Sequence, residues 1–300
     1  MRFSAWPAPA PWATLLPQWE HVEATGWDGA WIMDHFMPVG ASADAPVSEA
    51  WTALAALAAR IPRIRLGTMV TGNTYRHPAV LAKMAATVDD VSGGRLVLGL
   101  GAGWQRDEHD AYGIELPPVP ERLARLEEAV LVIRALFAEE HAGLEGRHYR
   151  LADAPLSPKP VQRPGPPLLI GGGGERVTLR IAARYADEWN VWGLPDHIAA
   201  KSAVLDRHCE REGRDPSTIR RTACAQLLVT DDPAEAERAR RAGRVTLAGS
   251  SEELRDVVGR YREIGLDELI IAAYDTASYG AIALDALDRF IEEVAPPYRD

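Results

Sequence analysis

Ile64-Arg65-Leu66-Gly67-Thr68-Met69-Val70-Thr71, then the amphipathic run Pro78–Val91, then Leu96-Val97-Leu98-Gly99-Leu100 is one repeat of the pattern that decides the fold. The two apolar runs are long enough for buried strands and too short for helices. The segment between them has helical spacing behind a first-turn proline, Pro78. Strand, helix and strand in this order describe a parallel pair with a helix packed over it.

The same alternation continues in both directions. Arg2–Trp6 and Ala30–Asp34 precede the quoted unit, and Leu168–Gly171, Glu188–Trp192, Ala223–Val229 and Glu268–Ala273 follow it, giving eight strand-like runs. Helical patterns occupy Ser48–Arg60, Glu121–Phe137, Val177–Tyr185, His197–Glu212 and Ser251–Ile264. Ser251-Glu252-Glu253 reads as an acidic first turn and Gly265 as a helix stop. Eight such units predict an α/β fold, a (β/α)8 TIM barrel, in preference to an open doubly wound sheet.

A length of 300 residues without a Pro/Gly/Ser linker suits one barrel domain over residues 1–300. Hydrophobic residues make up 47% and charged residues 25%, enough for a large core and unlike a disordered chain. No run of about 18 apolar residues occurs, so neither secretion nor membrane spanning is expected. Cys209 and Cys224 are the only cysteines, too far apart for a redox pair, and fit a reducing cytoplasm. The net charge of -10 argues against nucleic acid as a partner. A small-molecule substrate is expected instead.

Three stretches break the rhythm. Gly101–Pro120 and the proline-rich Gly143–Pro166 read as insertions displayed on the carboxyl-terminal face, and Arg240–Ser250 as an irregular connection. A barrel builds its active face from residues just past its strand ends. These include Trp6; Asp34 and His35; Thr71, Gly72 and Asn73; Gly101, Gly103 and Trp104; Gly171 to Gly174; Asn190 and Trp192; Gln226; Tyr274 and Asp275.

Gly171-Gly172-Gly173-Gly174 ends a strand before a helix, where bare backbone amides could hold an anion, a phosphate in this reading. A merely flexible turn is the other reading. Gly99-Leu100-Gly101-Ala102-Gly103 is a second place for close backbone approach to a flat ligand. His35 stands where an imidazole could exchange a proton, or could simply hydrogen-bond at a strand end. His77 reads as a loop or cap residue, His109 as part of a mobile rim, and His141 and His148 as surface or insertion positions. Nine tryptophans accompany four phenylalanines, and most read as core, with Trp6 and Trp104 as candidate floors of a planar pocket.

Trp31-Ile32-Met33-Asp34-His35-Phe36-Met37, Leu66–Gly72, Arg76-His77-Pro78, Gly99–Trp104 with Glu108 and Tyr112-Gly113, and Pro158-Lys159-Pro160 together resemble the luciferase-like monooxygenase superfamily. Within it they look most like the branch using the deazaflavin coenzyme F420. The resemblance implies a cofactor lying across the carboxyl face, with its phosphate-bearing tail near Gly172, Gly173, Gly174 and Glu175. Its ring would lie near Val70, Thr71, Asn73, Gly101 and Gly103, over a β-bulge often carrying a non-prolyl cis peptide. It also implies that His35 is catalytic beside the reactive ring carbon, with Asp34 in support. Members that dehydrogenate sugar phosphates carry a glutamate where this chain has Trp104, a departure that counts against the same substrate and the same acid; Glu108, further along, reads as a residue holding the insertion. Relatives are often dimers, so a homodimer is an expectation.

FMN, with monooxygenation, is the alternative cofactor. Ranked lower are a metal-dependent barrel hydrolase built on His35, His77, His109 and Asp34, and a flavin-binding barrel without catalysis.

Overall fold

The computed structural model describes residues 1–39, 42–242, 245–272 and 284–299. Its strands are β1 (Arg2–Trp6), β2 (Gly29–Ile32), β3 (Arg65–Thr68), β4 (Thr71–Gly72), β5 (Leu96–Gly101), β6 (His141–Glu145), β7 (Arg150–Pro155), β8 (Leu168–Gly171), β9 (Glu188–Trp192), β10 (Arg220–Val229), β11 (Thr246–Gly249) and β12 (Glu268–Ala272). β1, β2, β3, β5, β8, β9, β10 and β12 pair in parallel in that order, and β12 pairs back to β1. The sheet therefore closes into the expected eight-stranded barrel, wrapped by helices that include Ala50–Arg60, Pro78–Ser92 and Pro195–Arg211.

The barrel strands are largely buried on both faces, which is why their sequences are mostly apolar past the first residue. Alternate residues separate two packing layers. Leu96, Leu98 and Leu100 join Phe3, Trp19 and Trp51 between sheet and helices, while Val97 joins Trp31, Met33, Leu169 and Ile270 in a second cluster. The amino ends of five barrel strands carry charge: Arg2, Arg65, Glu188, Arg220 and Glu268. Arg65 bridges Glu188 and Glu268, and Ser4 and Trp31 donate to Glu268 Oε1 at 2.6 and 3.2 Å.

Four features differ from the sequence reading. The run Ile64–Thr71 is two strands, β3 and β4, separated by a cis peptide between Met69 and Val70. Arg240–Ser250 is not wholly irregular, because β11 adds to the carboxyl half of β10. The proline-rich insertion opens on an antiparallel hairpin, β6 with β7. Glu128, from the helix Val119–Ala138, accepts the backbone N–H groups of Arg147, His148 and Tyr149 at 2.7, 2.7 and 2.8 Å, so the hairpin turn is tied to the barrel. The helix Trp12–Ala24 also escaped the reading, since Pro17 sits inside it. Pro78 and Gly265 occupy their expected positions, a helix start and a left-handed stop at φ 76°. Tyr274 and Asp275 lie outside the described residues. No described helix is long and apolar enough to cross a membrane.

Candidate active site

A cavity of about 650 Å³ opens at the carboxyl ends of the barrel strands. Trp6, Met33, Met69, Val70 and Trp192 give it apolar walls; Asp34, His35, Asn190 and Gln226 bring polar groups to it. Trp6 and Trp192 pack ring to ring at 5.5 Å, and both line the cavity.

His35 follows β2 and is buried at the mouth. Its Nδ1 lies 3.0 Å from Oε2 of Glu108, which is wholly buried in the short helix Arg106–Tyr112 of the first insertion. A carboxylate can only accept, so Nδ1 carries the proton and Nε2 is the ring nitrogen left for chemistry. Tyr75 places its hydroxyl 3.4 Å from the same Nδ1. Burial works to raise the Glu108 carboxyl, but the bonds from His35 and Tyr75 pull it below its ordinary value. Burial and Glu108 push the Tyr75 hydroxyl well above its own, so it stays protonated. Trp104, 59% exposed, stands edge-on to His35 at 5.6 Å and lines the cavity.

Asp34 faces a different partner. Both its oxygens accept from Arg76, at 2.5 and 3.1 Å, and Arg76 also pairs with Glu49. Glu49 in turn caps the helix Ala50–Arg60 through the N–H groups of Trp51 and Thr52. Burial pushes the Asp34 carboxyl up, and the Arg76 fork opposes it. Burial likewise disfavours charge on Arg76, but Asp34 and Glu49 raise its affinity for the proton. Asp34 is thus held away from His35's bonding network.

The glycines that end β5 and β8 serve Val70. A Cβ on Gly101 would lie 2.7 Å from Val70 Cγ2, and one on Gly171 2.9 Å from Val70 Cγ1. The bare backbone admits the valine, which itself forms the cavity wall. Gly99 is tighter still, because a Cβ there would collide with the carbonyl oxygen of Thr68. Gly103 has φ 77° and would meet Thr74.

Of the residues expected to touch a cofactor, Val70, Gly101, Gly103 and Gly172 line the cavity, and Thr71, Asn73, Gly173, Gly174 and Glu175 stand outside its lining. Thr71 is buried and accepts from Trp51 Nε1 at 2.9 Å. Asn73 donates to Tyr149 of the second insertion, while its buried Oδ1 has no hydrogen-bond partner among the described residues. The helix after the glycine run begins only at Thr178, with one irregular turn between. Glu175 points its carboxylate to Lys201 at 2.8 Å and its carbonyl to His208.

His77 caps the helix Pro78–Ser92, as expected. His109 does not belong to a mobile rim: it is fully buried, bonded to Gln105 and Thr74, and stacked on Tyr75 at 5.0 Å. His35, His77 and His109 thus have separate hydrogen-bond partners, although Tyr75 packs against both His35 and His109, and no metal-holding cluster occurs among the described residues. Glu108, Tyr75 and Arg76 were not singled out as site residues. The signal available for Glu108 was a carboxylate in the first turn of a rim helix, within a chain whose strand-end histidine needed a partner.

Residues 1–265 match the family model described as luciferase-like monooxygenase. An F420-dependent glucose-6-phosphate dehydrogenase of Kineococcus radiotolerans is 36% identical over 219 residues, covering 71% of this chain and 63% of the relative's length. An F420-dependent secondary alcohol dehydrogenase, solved with an F420-acetone adduct, superposes with a TM-score of 0.85 at 22% identity, covering 100% of this chain and 99% of that one. A monooxygenase of Streptomyces bottropensis, RslO1, superposes at 0.80 with 24% identity and full coverage of both chains, so fold alone does not separate the two chemistries.

Proposed function

Because the chain belongs to the luciferase-like monooxygenase family, we propose that it is an F420-dependent oxidoreductase that passes a hydride between the deazaflavin coenzyme and a small organic substrate. The observation that carries this reading is the mouth itself, a slot with apolar walls and one imidazole whose Nδ1 is fixed by Glu108. The 36% identical relative is named for the same coenzyme, which favours F420 over FMN.

The residues fit such a group. Val70 offers a convex wall for a flat ring, and Gly101, Gly103 and Gly172 keep backbone rather than side chain beside it. The amides of Gly173, Gly174 and Glu175, with Lys201 beside them, are assigned to the phosphate of the tail. When bound, the deazaflavin supplies two-electron hydride chemistry, and the protein orients and shields it. His35 takes up or releases at Nε2 the proton that accompanies the hydride, and Glu108 holds the ring in the required tautomer. Asp34 acts by anchoring Arg76 behind the site. With Trp104 at the position of the glutamate of the sugar-phosphate members, His35 is the proton-transfer group in this chain, and the tryptophan edge shapes the substrate's side of the mouth.

Titration of the apoprotein with F420 and with FMN tests the reading. Tight F420 binding with hydride turnover is expected; binding FMN alone, or neither, overturns it. Gly173→Val should weaken F420 binding, since a Cβ there already sits 3.0 Å from Val191. Glucose 6-phosphate, named for the relatives, and simple secondary alcohols are the first substrates to compare. Cytoplasmic residence and a homodimer complete the proposal, the latter checked by light scattering.

A further inference from the structure

A second cleft, of about 720 Å³, lies at the opposite pole, where the barrel strands begin. It is lined by six arginines, Arg2, Arg65, Arg95, Arg134, Arg163 and Arg220, against two carboxylates, Asp187 and Glu188. That concentration of positive charge stands in a chain whose net charge is -10.

The carboxylates do not balance it. Asp187 accepts the backbone N–H of Leu168 at 2.9 Å, and Glu188 is engaged by Arg65, which also draws on Glu268. Arg220 reaches Glu188 only at 3.7 Å. Arg2 Nη1 is buried with no hydrogen-bond partner among the described residues. Burial, together with the like charges of Arg65 and Arg220, depresses its affinity for the proton. Arg163 is exposed at the rim and makes no side-chain hydrogen bond or ion pair among the described residues. Cations packed this way repel one another unless a counter-charge sits among them. Planar guanidinium forks are suited to oxyanions, which they grip through paired N–H donors. Gln162, Ser217 and Thr218 add neutral polar groups to the same lining.

We propose that this amino-terminal cleft is a binding site for a small, multiply charged oxyanion, a polyphosphate or polycarboxylate, separate from the redox site. The site uses Arg163 and Arg220 as its accessible contacts, with Arg2 and Arg65 behind them as fixed positive field.

Calorimetric titration of the intact protein with inorganic pyrophosphate, and separately with citrate, tests the proposal and tells the two chemistries apart. Saturable binding of at least one, at about one per chain, is expected. Arg163→Ala and Arg220→Ala should each weaken it about tenfold, the loss of one charge-assisted contact. Neither substitution should alter F420 affinity at the other pole. Failure of both anions to bind at millimolar concentration, binding unchanged in both variants, or a parallel loss of cofactor affinity would each overturn it. The outcome is independent of the redox reading, because anion binding is measured without cofactor.

Discussion

His35 Nδ1 stands 3.0 Å from Oε2 of Glu108, a carboxylate with no exposure to solvent that is supplied by a helix of the rim insertion. The insertion therefore reaches back into the barrel mouth and fixes the imidazole from behind. Replacing Glu108 by Gln keeps the shape and removes the charge. We expect Glu108→Gln to lower kcat about tenfold to a hundredfold, one charge-assisted hydrogen bond, with cofactor Kd nearly unchanged. His35→Ala should cost about 10²- to 10⁴-fold in kcat. Steady-state kinetics beside cofactor titration checks both; unchanged kcat in either variant removes the assigned role.

The same pair gives stability a pH dependence. Glu108 is held below its ordinary value of 4.5, so its charge favours the folded state at every pH above that value. The contribution fades as pH falls through the lower folded value. The difference in unfolding free energy between wild type and Glu108→Gln should be flat near neutrality and shrink in acid. Urea midpoints across the acid range measure it, and a difference that grows in acid contradicts the assignment.

Arg76 and Asp34 form a bidentate pair with Asp34 wholly buried. Arg76→Ala strands that carboxylate and also releases Glu49, so a loss of about 3–5 kcal/mol in stability is expected. Arg76→Ala combined with Asp34→Asn should recover part of the loss. A double variant no more stable than the single one argues against the pair as the cause.

Gly99 has no room for a methyl group, because the Thr68 carbonyl oxygen occupies the place. Gly99→Ala should cost about 1–3 kcal/mol or fail to accumulate. Gly143→Ala, whose Cβ meets nothing within 4 Å, is the control and should behave as wild type. Denaturant titration of the two variants compares them directly.

The barrel was legible because its strands are sandwiched between lumen and helices, which favours apolar residues along most of their length. Leu96-Val97-Leu98 declares itself for that reason. β11 did not, since Thr246-Leu247-Ala248-Gly249 is four residues with one large apolar side chain, and among the described strands it pairs with β10 alone. His35 was legible as a strand-end residue, and the glycine run as a turn. Glu108 and His109 were not, because their burial depends on how a seven-residue helix of the insertion folds inward, a tertiary fact with no local period. The glycines after β5 were read as space for a ligand. Gly99 and Gly101 also make room for Val70, whose placement follows from the break between β3 and β4 and not from any pattern around Gly99.

Val70 meets Gly99, Gly101 and Gly171, which come from two strands far apart in the chain. None of these positions can drift alone. A bulkier residue at Gly101 or Gly171 presses on the valine, one at Gly99 collides with the Thr68 carbonyl beside it, and a smaller residue at 70 leaves a hollow where the slot needs a wall. Among descendants of this chain the four sites should behave as a single inherited character, altered together or not at all. A library that randomises them jointly would reach slot shapes that no series of single steps can traverse.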